Sequence, residues 1–526
     1  MFILAKTQWR LISNNNKITT YKLSSIRREF LKAIYSCIYI LSFLIPNLIF
    51  SQINYNHDTL INKKLLYVDS APIKTKFSIF DFNPYRSFSK SSFILPIQFD
   101  YRNNTNRPFG DNDGDFVQTN GTQIFLRTPV YFCSKYFDVL IDPMINTSYR
   151  KNYEISGSWG ANYSNANLNL FKLKSTIRFK WKQLGLEIGN HNYTQGPANI
   201  DHLLMSKNAP GFNHLNIGTI QPVKLGFAHW ELQLTSGILE STKGKFPLEN
   251  YNLQNPTSIN STSNRYFSGL LLSFSPVFLK NNTFGLIRQF QMPELELHRI
   301  NGFYNKYFPV LGEASKKSVG GLNEDKINRD QQLALFYRLQ IPSIKSVISM
   351  EYGWNDHKWD MRDLLTSWPH SLAYIASFKK LFPKKYGYND LVIEYVNMKQ
   401  PIEYSVRDAG DWYVHGDGEG FTNQGQILGV GGSNGKGLNK LTVLYRLNTN
   451  RSVNTFRISQ IKNDHSYNGQ SIWNDWFFSY SRIQKMNKVC LRAELAFIHS
   501  RNFTFIPKKQ MNSIQINISY IHQLFK

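Results

Sequence analysis

Apolar and polar residues alternate with a period of two along most of this chain, from about residue 90 to the C-terminus. Between Phe171 and Lys182, the side chains of Phe171, Leu173, Ile177, Phe179 and Trp181 fall on one side of an extended backbone, and those of Lys172, Lys174, Arg178, Lys180 and Lys182 on the other. A helix repeats every 3.6 residues and cannot give this spacing, whereas a strand points successive side chains to opposite faces. The same alternation runs through Leu333, Leu335, Tyr337, Leu339 and Ile341, through Ile348, Met350, Tyr352 and Trp354, and through Ile514, Ile516, Ile518 and Tyr520. Weaker versions cover 93–101, 138–149, 184–190, 223–235, 265–275, 283–290, 372–380, 390–398, 441–448, 454–461, 474–482 and 489–499, which makes sixteen to eighteen candidate strands.

Strands of about ten residues with one apolar face suit an antiparallel barrel that spans a membrane. Aromatic residues crowd the strand ends, as in Phe179 and Trp181, Tyr352 and Trp354, or the run Trp476, Phe477, Phe478 and Tyr480. A soluble sandwich gives no reason for that crowding, whereas girdles at two water interfaces do. Short links at Lys182-Gln183 and Pro342-Ser343 read as periplasmic turns, and the polar stretches 191–222, 240–264, 291–330 and 399–439 as extracellular or lumen-plugging loops. The pattern therefore predicts an all-β transmembrane barrel of about eighteen strands over 91–526, behind a periplasmic segment over 52–90 that shows no clear period.

The residues before that segment point to export. Arg27, Arg28 and Lys32 precede an apolar run over 33–50, and the small Ser51 follows it. This is the layout of a secretory signal peptide over 1–51, and it directs a barrel to the bacterial outer membrane. At 42% hydrophobic and 15% aromatic residues the chain is too apolar for disorder. Its net charge of +25 favours an anionic polymer or a lipid surface as partner. Cys133 and Cys490 outlast removal of the leader, which allows one disulfide and excludes a disulfide framework.

Three loop segments carry more than composition. The first, NRPFGDNDGDFVQTNG, contains Pro108, Gly110, Asp113 and Gly114. The second, YTQGPANIDHLLMSKNAPGF, contains Gly196, Pro197, Asn208, Ala209, Pro210, Gly211 and Phe212. The third, DWYVHGDGEGFTNQGQILGVGGSNG, contains Gly425, Gln426 and Gly429. In order and wording these segments resemble loops of the Wzi-type capsule assembly proteins of the bacterial outer membrane, and the resemblance spans roughly 90–526. It departs from the family at Thr194-Gln195, where a Trp-Gly pair usually stands.

The resemblance implies an 18-stranded barrel with a helical periplasmic element, acting as a non-enzymatic lectin that holds capsular or exopolysaccharide on the cell. Sugars are gripped by rings on their apolar faces and by charges on their hydroxyls and carboxylates. Trp354, Trp359, Trp368, Trp412 and Tyr413 offer rings, and Lys172, Lys174 and Arg178 offer charge for an acidic polymer. Competing roles exist for each: the rings also suit a girdle or loop packing, the cations also suit pairing with carboxylates such as Glu187, and the Gly and Pro residues of the second loop also suit the folding of a plug. A porin or polysaccharide export channel is the alternative function. The expected partners are surface polysaccharide, outer-membrane lipid and, during biogenesis, the barrel assembly machinery; nucleic acid is not among them, and a monomer is expected.

Catalysis finds little support. Gly431, Ser433 and Gly435 spell a nucleophile elbow, but in a glycine-rich loop instead of a strand turning into a helix. His415, Asp417 and Glu419 alternate as potential ligands or acid/base groups, and Asp111, Asp113 and Asp115 as potential calcium ligands. Neither a zinc spacing nor a phosphate-binding loop is present, so no catalytic residue, metal or cofactor is expected.

Overall fold

In the computed structural model the described residues lie between 92 and 523, with gaps at 95, 107–108, 117–119, 150–167, 242–263, 312–328, 356–369, 386, 400–411, 414–419, 433–436, 450, 465–470 and 487. The signal peptide and the periplasmic segment predicted over 1–90 lie outside them, as do Pro108, Trp359, Trp368, His415, Asp417, Glu419, Ser433 and Gly435.

Among the described residues, eighteen antiparallel strands form one closed sheet. They are β1 (Pro96–Asn104), β2 (Gly121–Arg127, continued as Val130–Cys133), β3 (Phe137–Tyr149), β4 (Leu168–Trp181), β5 (Leu184–Gly189) and β6 (Asn213–Thr219, continued as Val223–Leu225). Next come β7 (Ala228–Leu239), β8 (Arg265–Pro276), β9 (Asn282–Pro293), β10 (Asp330–Ile341), β11 (Ser346–Asn355) and β12 (Leu372–Lys384). The last six are β13 (Gly387–Asn397), β14 (Leu438–Thr449), β15 (Ser452–Asn463), β16 (Trp473–Met486), β17 (Val489–Arg501) and β18 (Gln510–Gln523). Each pairs with its sequence neighbour, and β18 closes on β1 in a register that sets Ile518 opposite Tyr101. Closure leaves no unpaired edge, which is what a bilayer requires of a β structure.

Sixteen of these strands coincide with the runs expected from the sequence; β2 and β6, which also alternate in burial but are short and interrupted, are not among them. The stretch expected as a loop over 191–222 therefore contains β6. The run over 223–235 divides at Gly226, whose φ of +56° turns the chain from β6 into β7. The predicted turns are present: Lys182 at φ +52° links β4 to β5, and a 3-10 turn over Pro342–Ile344 links β10 to β11.

The two faces separate as the alternation dictates. On β4, Leu173, Ile177, Phe179 and Trp181 are exposed on the outside, while Thr176 and Arg178 are buried inside. On the outer wall, rings of Trp230, Phe274, Phe284 and Tyr337 continue from β7 to β10 with centroids 5.1–5.5 Å apart. Such a row of aromatics near one end of an apolar belt is an interfacial girdle. Cys133 and Cys490 are free thiols, so the disulfide that the sequence allowed is absent.

Candidate functional site

The barrel lumen is filled by a plug, and the plug is built from the three motif loops. Connections at one end of the barrel are short, whereas those at the other end include 105–120, 190–212 and 398–437, and described residues of these three, such as Phe109, Leu203 and Trp412, lie buried against the inner wall. Their apolar residues, among them Phe109, Leu203, Leu204, Phe212, Trp412, Tyr413, Phe421 and Leu428, merge with inward-facing Phe267, Ile287, Phe336 and Ile498 of the wall into one buried cluster. A lumen ordinarily lined by polar residues holds here an apolar cluster beside its buried polar and charged side chains.

The loops grip each other through backbone. Gly114 donates its N–H to the carbonyl of Lys207 at 2.8 Å, and Ser206 donates to the carbonyl of Leu428 at 2.7 Å. The Asn208 amide donates to Ile427 O at 3.0 Å, the Ser206 hydroxyl donates to Gly429 O, and the Gln426 amide donates to Phe116 O at 3.2 Å. Glycine is required at three of these crossings. A Cβ at Gly114 would overlap the Ala209 carbonyl, at Gly211 the Asn190 carbonyl, and at Gly429 the Leu203 carbonyl and the Tyr413 hydroxyl. The residues that carry the family resemblance are thus the contacts between loops, spaced far apart in sequence and joined in the lumen.

Two wall carboxylates hold the plug from outside. Glu351 on β11 accepts from the N–H of Leu203 at 2.8 Å and Ala198 at 3.2 Å, and it faces His202 Nδ1 at 3.0 Å. Glu394 on β13 accepts from the N–H groups of Asn199, Ile200 and Asp201 at 2.9, 3.1 and 2.6 Å. Between them they satisfy a run of loop backbone that would otherwise be buried without partners. Burial alone would push the His202 imidazole down, but Glu351, with Glu394 and Asp201 behind it, raises its pKa above the ordinary histidine value.

Cations of the wall hold the plug's aspartates. Lys440 Nζ lies 2.9 Å from Asp111 and 2.8 Å from Asp201, and Arg457 also pairs with Asp111. Asp113 pairs with Arg102 at 2.5 Å, and Asp115 pairs with Lys174 and with Arg127. Burial would raise Asp115, yet Lys174 and Arg127 hold it well below the usual carboxylate range. Asp111, Asp113 and Asp115, which the sequence offers as potential calcium ligands, are each engaged by different wall cations.

The predicted binding residues take up structural positions. Trp412 and Tyr413 are each 1% exposed. The Trp412 indole donates to Ser371 O at 3.1 Å, and the Tyr413 hydroxyl donates to Leu203 O at 2.6 Å while accepting from Val430 N–H at 3.0 Å. Neither ring presents a face to a sugar, which corrects the reading of both as platforms. Trp354 stands on the outer wall of β11, packed edge-on against Tyr352 with centroids 4.9 Å apart, so it is a girdle residue. Lys172, Lys174 and Arg178 do face the lumen, but the wall and plug occupy them. Lys172 donates to the Gln424 amide oxygen at 2.8 Å, Lys174 to Asp115 and to the Asn192 side chain at 2.6 Å, and Arg178 to Glu187 at 2.8 Å. Lys174 and Arg178 thus pair with carboxylates and Lys172 with an amide oxygen, in place of the open charges expected for an acidic polymer.

One cluster has no signal in the sequence. Ligand atoms of Glu187, His191 and His214 lie within 4.8 Å of one another, in three residues separated along the chain by loop and strand. Arg178 engages the Glu187 carboxylate, Thr176 Oγ1 lies 2.9 Å from His191 Nδ1, and His214 Nδ1 donates to Phe212 O at 2.7 Å. Burial pushes the His191 imidazole down to about 3, which keeps it neutral. The Arg178 guanidinium sets a fixed positive charge beside the position an ion would take, so the cluster reads as a packed polar knot where the plug enters the wall.

Comparisons with known proteins bear on the fold. No protein-family model matches the chain, and no curated protein matches it in sequence. Among solved structures it is similar to Wzi of Escherichia coli, described as an outer membrane protein involved in group 1 capsule assembly and a carbohydrate-binding β-barrel. The TM-score is 0.54 at 12% identity, over 80% of this chain and 83% of that one. OccAB3 of Acinetobacter baumannii aligns with a TM-score of 0.45 at 11% identity, over 83% of this chain and 100% of the other. OccK5 (OpdH) of Pseudomonas aeruginosa aligns with a TM-score of 0.43 at 10% identity, over 83% and 99%. The chain has the fold of an outer-membrane β-barrel of the Wzi shape.

Proposed function

We propose that this protein is a non-enzymatic outer-membrane barrel that holds capsular or exopolysaccharide on the cell surface. The observation that carries the reading is the interlocked plug: the loops that resemble the Wzi-type family meet one another inside the lumen and are anchored to the wall by Glu351, Glu394 and Lys440. A lumen occupied by interlocked loops, with an apolar cluster and buried ion pairs, suits a protein that presents a surface better than one that passes solute. The carbohydrate-binding barrel with which it shares a fold supports the same direction. With Trp412 and Tyr413 enclosed, Trp359 and Trp368, which lie outside the described residues, are the remaining candidate rings from the sequence.

The alternative of a porin or export channel has one observation in its favour. On the inner wall of β17 the Arg492 side chain is 50% exposed beside Glu494. Deleting the gene separates the two functions. Loss of polysaccharide from the cells into the medium, with secretion itself intact, is the outcome of the holding role. Unchanged retention together with steady conductance of the purified protein in planar bilayers would replace it with the channel.

A further inference from the structure

After β9 the chain does not continue outward from the barrel rim. Residues 294–311 pass through a 3-10 turn (Glu294–Arg299), the short helix α1 (Phe303–Tyr307) and a second 3-10 turn (Pro309–Leu311), and they double back over the outer wall. The side chains beneath them face away from the lumen. Ile300, Leu297 and Tyr307 pack on Tyr266, Met292 and Ile238, and Val310 packs on Phe290, Leu234 and Leu270. Polar ties fasten the strap. The Tyr266 hydroxyl donates to Tyr307 O at 2.7 Å, and outward-facing Arg288 reaches Val310 O at 3.5 Å and the Gln331 side chain at 3.2 Å.

The opposite side of the strap exposes large apolar side chains among the polar His298, Arg299, Asn301 and Asn305. Phe303 is 63% and Tyr304 71% exposed, with Leu295 and Leu311 exposed beside them and Lys306 on the same helix. This surface continues the belt of the wall. Leu232, two residues along β7 from the covered Leu234, is exposed on the same outer face, as is Leu335 on β10. The solvent that meets Leu232 and Leu335 therefore also meets the outer side of the strap.

We propose that residues 294–311 form an interfacial foot that seats Phe303, Tyr304, Leu295 and Leu311 in the outer leaflet, at the boundary between acyl chains and headgroups. Aromatic rings beside a cationic residue are the side chains that settle at that depth. The foot covers an apolar patch of the outer wall on β7–β9 and ties the outward-facing Arg288 to Val310 O, so that this cation does not meet acyl chains alone.

The proposal rests on the barrel being membrane-inserted, and the test keeps the two apart. In the full chain with Cys37, Cys133 and Cys490 replaced by serine, a nitroxide is attached through Tyr304→Cys, through Phe303→Cys, or through Leu232→Cys on the belt, and the protein is reconstituted into phospholipid vesicles. Collision with oxygen is then compared with collision with a water-soluble nickel chelate. The foot predicts that labels at 303 and 304 collide several-fold more with oxygen than with nickel, at a shallower depth than the label at 232. Nickel-dominated collisions at 303 and 304 with an oxygen-dominated 232 overturn the foot and leave the barrel standing. Low collision with both reagents at 303 and 304 also overturns it, in favour of a contact with protein. A nickel-dominated label at 232 overturns the membrane reading itself.

Discussion

The N–H of Leu203 in the plug donates to a carboxylate oxygen of Glu351 in the wall at 2.8 Å, and both residues are buried. The same carboxylate serves Ala198 N–H and His202, so one side chain of β11 fixes three groups of the second motif loop. Replacing it by Glu351→Ala leaves buried donors without an acceptor, at a cost of about 1–3 kcal/mol for each orphaned group. The plug then opens more often than the barrel unfolds. The expected result is a rise in conductance events in planar bilayers with β-sheet content unchanged by circular dichroism.

Acidity tunes the same contact. His202 has its pKa raised by Glu351, Glu394 and Asp201 against the effect of burial, so its charged form stabilises the docked loop. Because the folded pKa lies above the unfolded one, that contribution is complete below about pH 6.5 and disappears as the pH rises through the folded pKa. Protease cleavage within 190–212 should be slower at pH 6 than at pH 9. The difference should shrink in His202→Gln.

Lys440 ties the first and second motif loops to the wall. Its ammonium is shared by Asp111 and Asp201, and it also donates to Gly431 O at 2.9 Å. Lys440→Met leaves two buried carboxylates short of a cation, a change worth roughly 3–5 kcal/mol when one partner of a buried pair is removed. A large fall in the thermal transition of the detergent-solubilised barrel is expected. Lys462→Met, on the exposed outer side of β15, should leave the transition near wild type.

The glycine crossings test the interlock by volume alone. Gly114→Ala and Gly429→Ala push a methyl group into backbone carbonyls of the second loop, and overpacking of this kind costs typically 1–3 kcal/mol. Both should lower the thermal transition. Gly226→Asn supplies the control, since nothing lies within 4 Å of that position and asparagine tolerates its positive φ.

Much of the barrel is legible in the sequence, because a strand between lipid and lumen must alternate, and from Leu173 to Trp181 the outer face is apolar at every position but Ser175. Strands β2 and β6 escape because they are short and broken near Thr128 and Ile220. The plug is harder to foresee. Turn-forming Gly196, Pro197, Pro210 and Gly211 announce a folded loop, but nothing local says that Ser206 will meet Leu428, more than two hundred residues away. Trp412 and Tyr413 look like sugar platforms for the same reason, since composition marks a ring and only the long-range fold decides whether its face is covered. The strap over 294–311 is missed because its inner side packs on wall residues whose alternation already assigns them to lipid.

Direct binding to polysaccharide tests the central claim. The purified, detergent-solubilised barrel is presented, in an immobilised-ligand binding assay, with the surface polysaccharide extracted from the cells that make it, and with an unrelated neutral glucan. The holding role predicts saturable binding to the native polymer, weaker binding to the glucan, and loss of binding in Trp359→Ala. Absence of saturable binding to the native polymer, by a barrel whose thermal transition shows it folded, would contradict it.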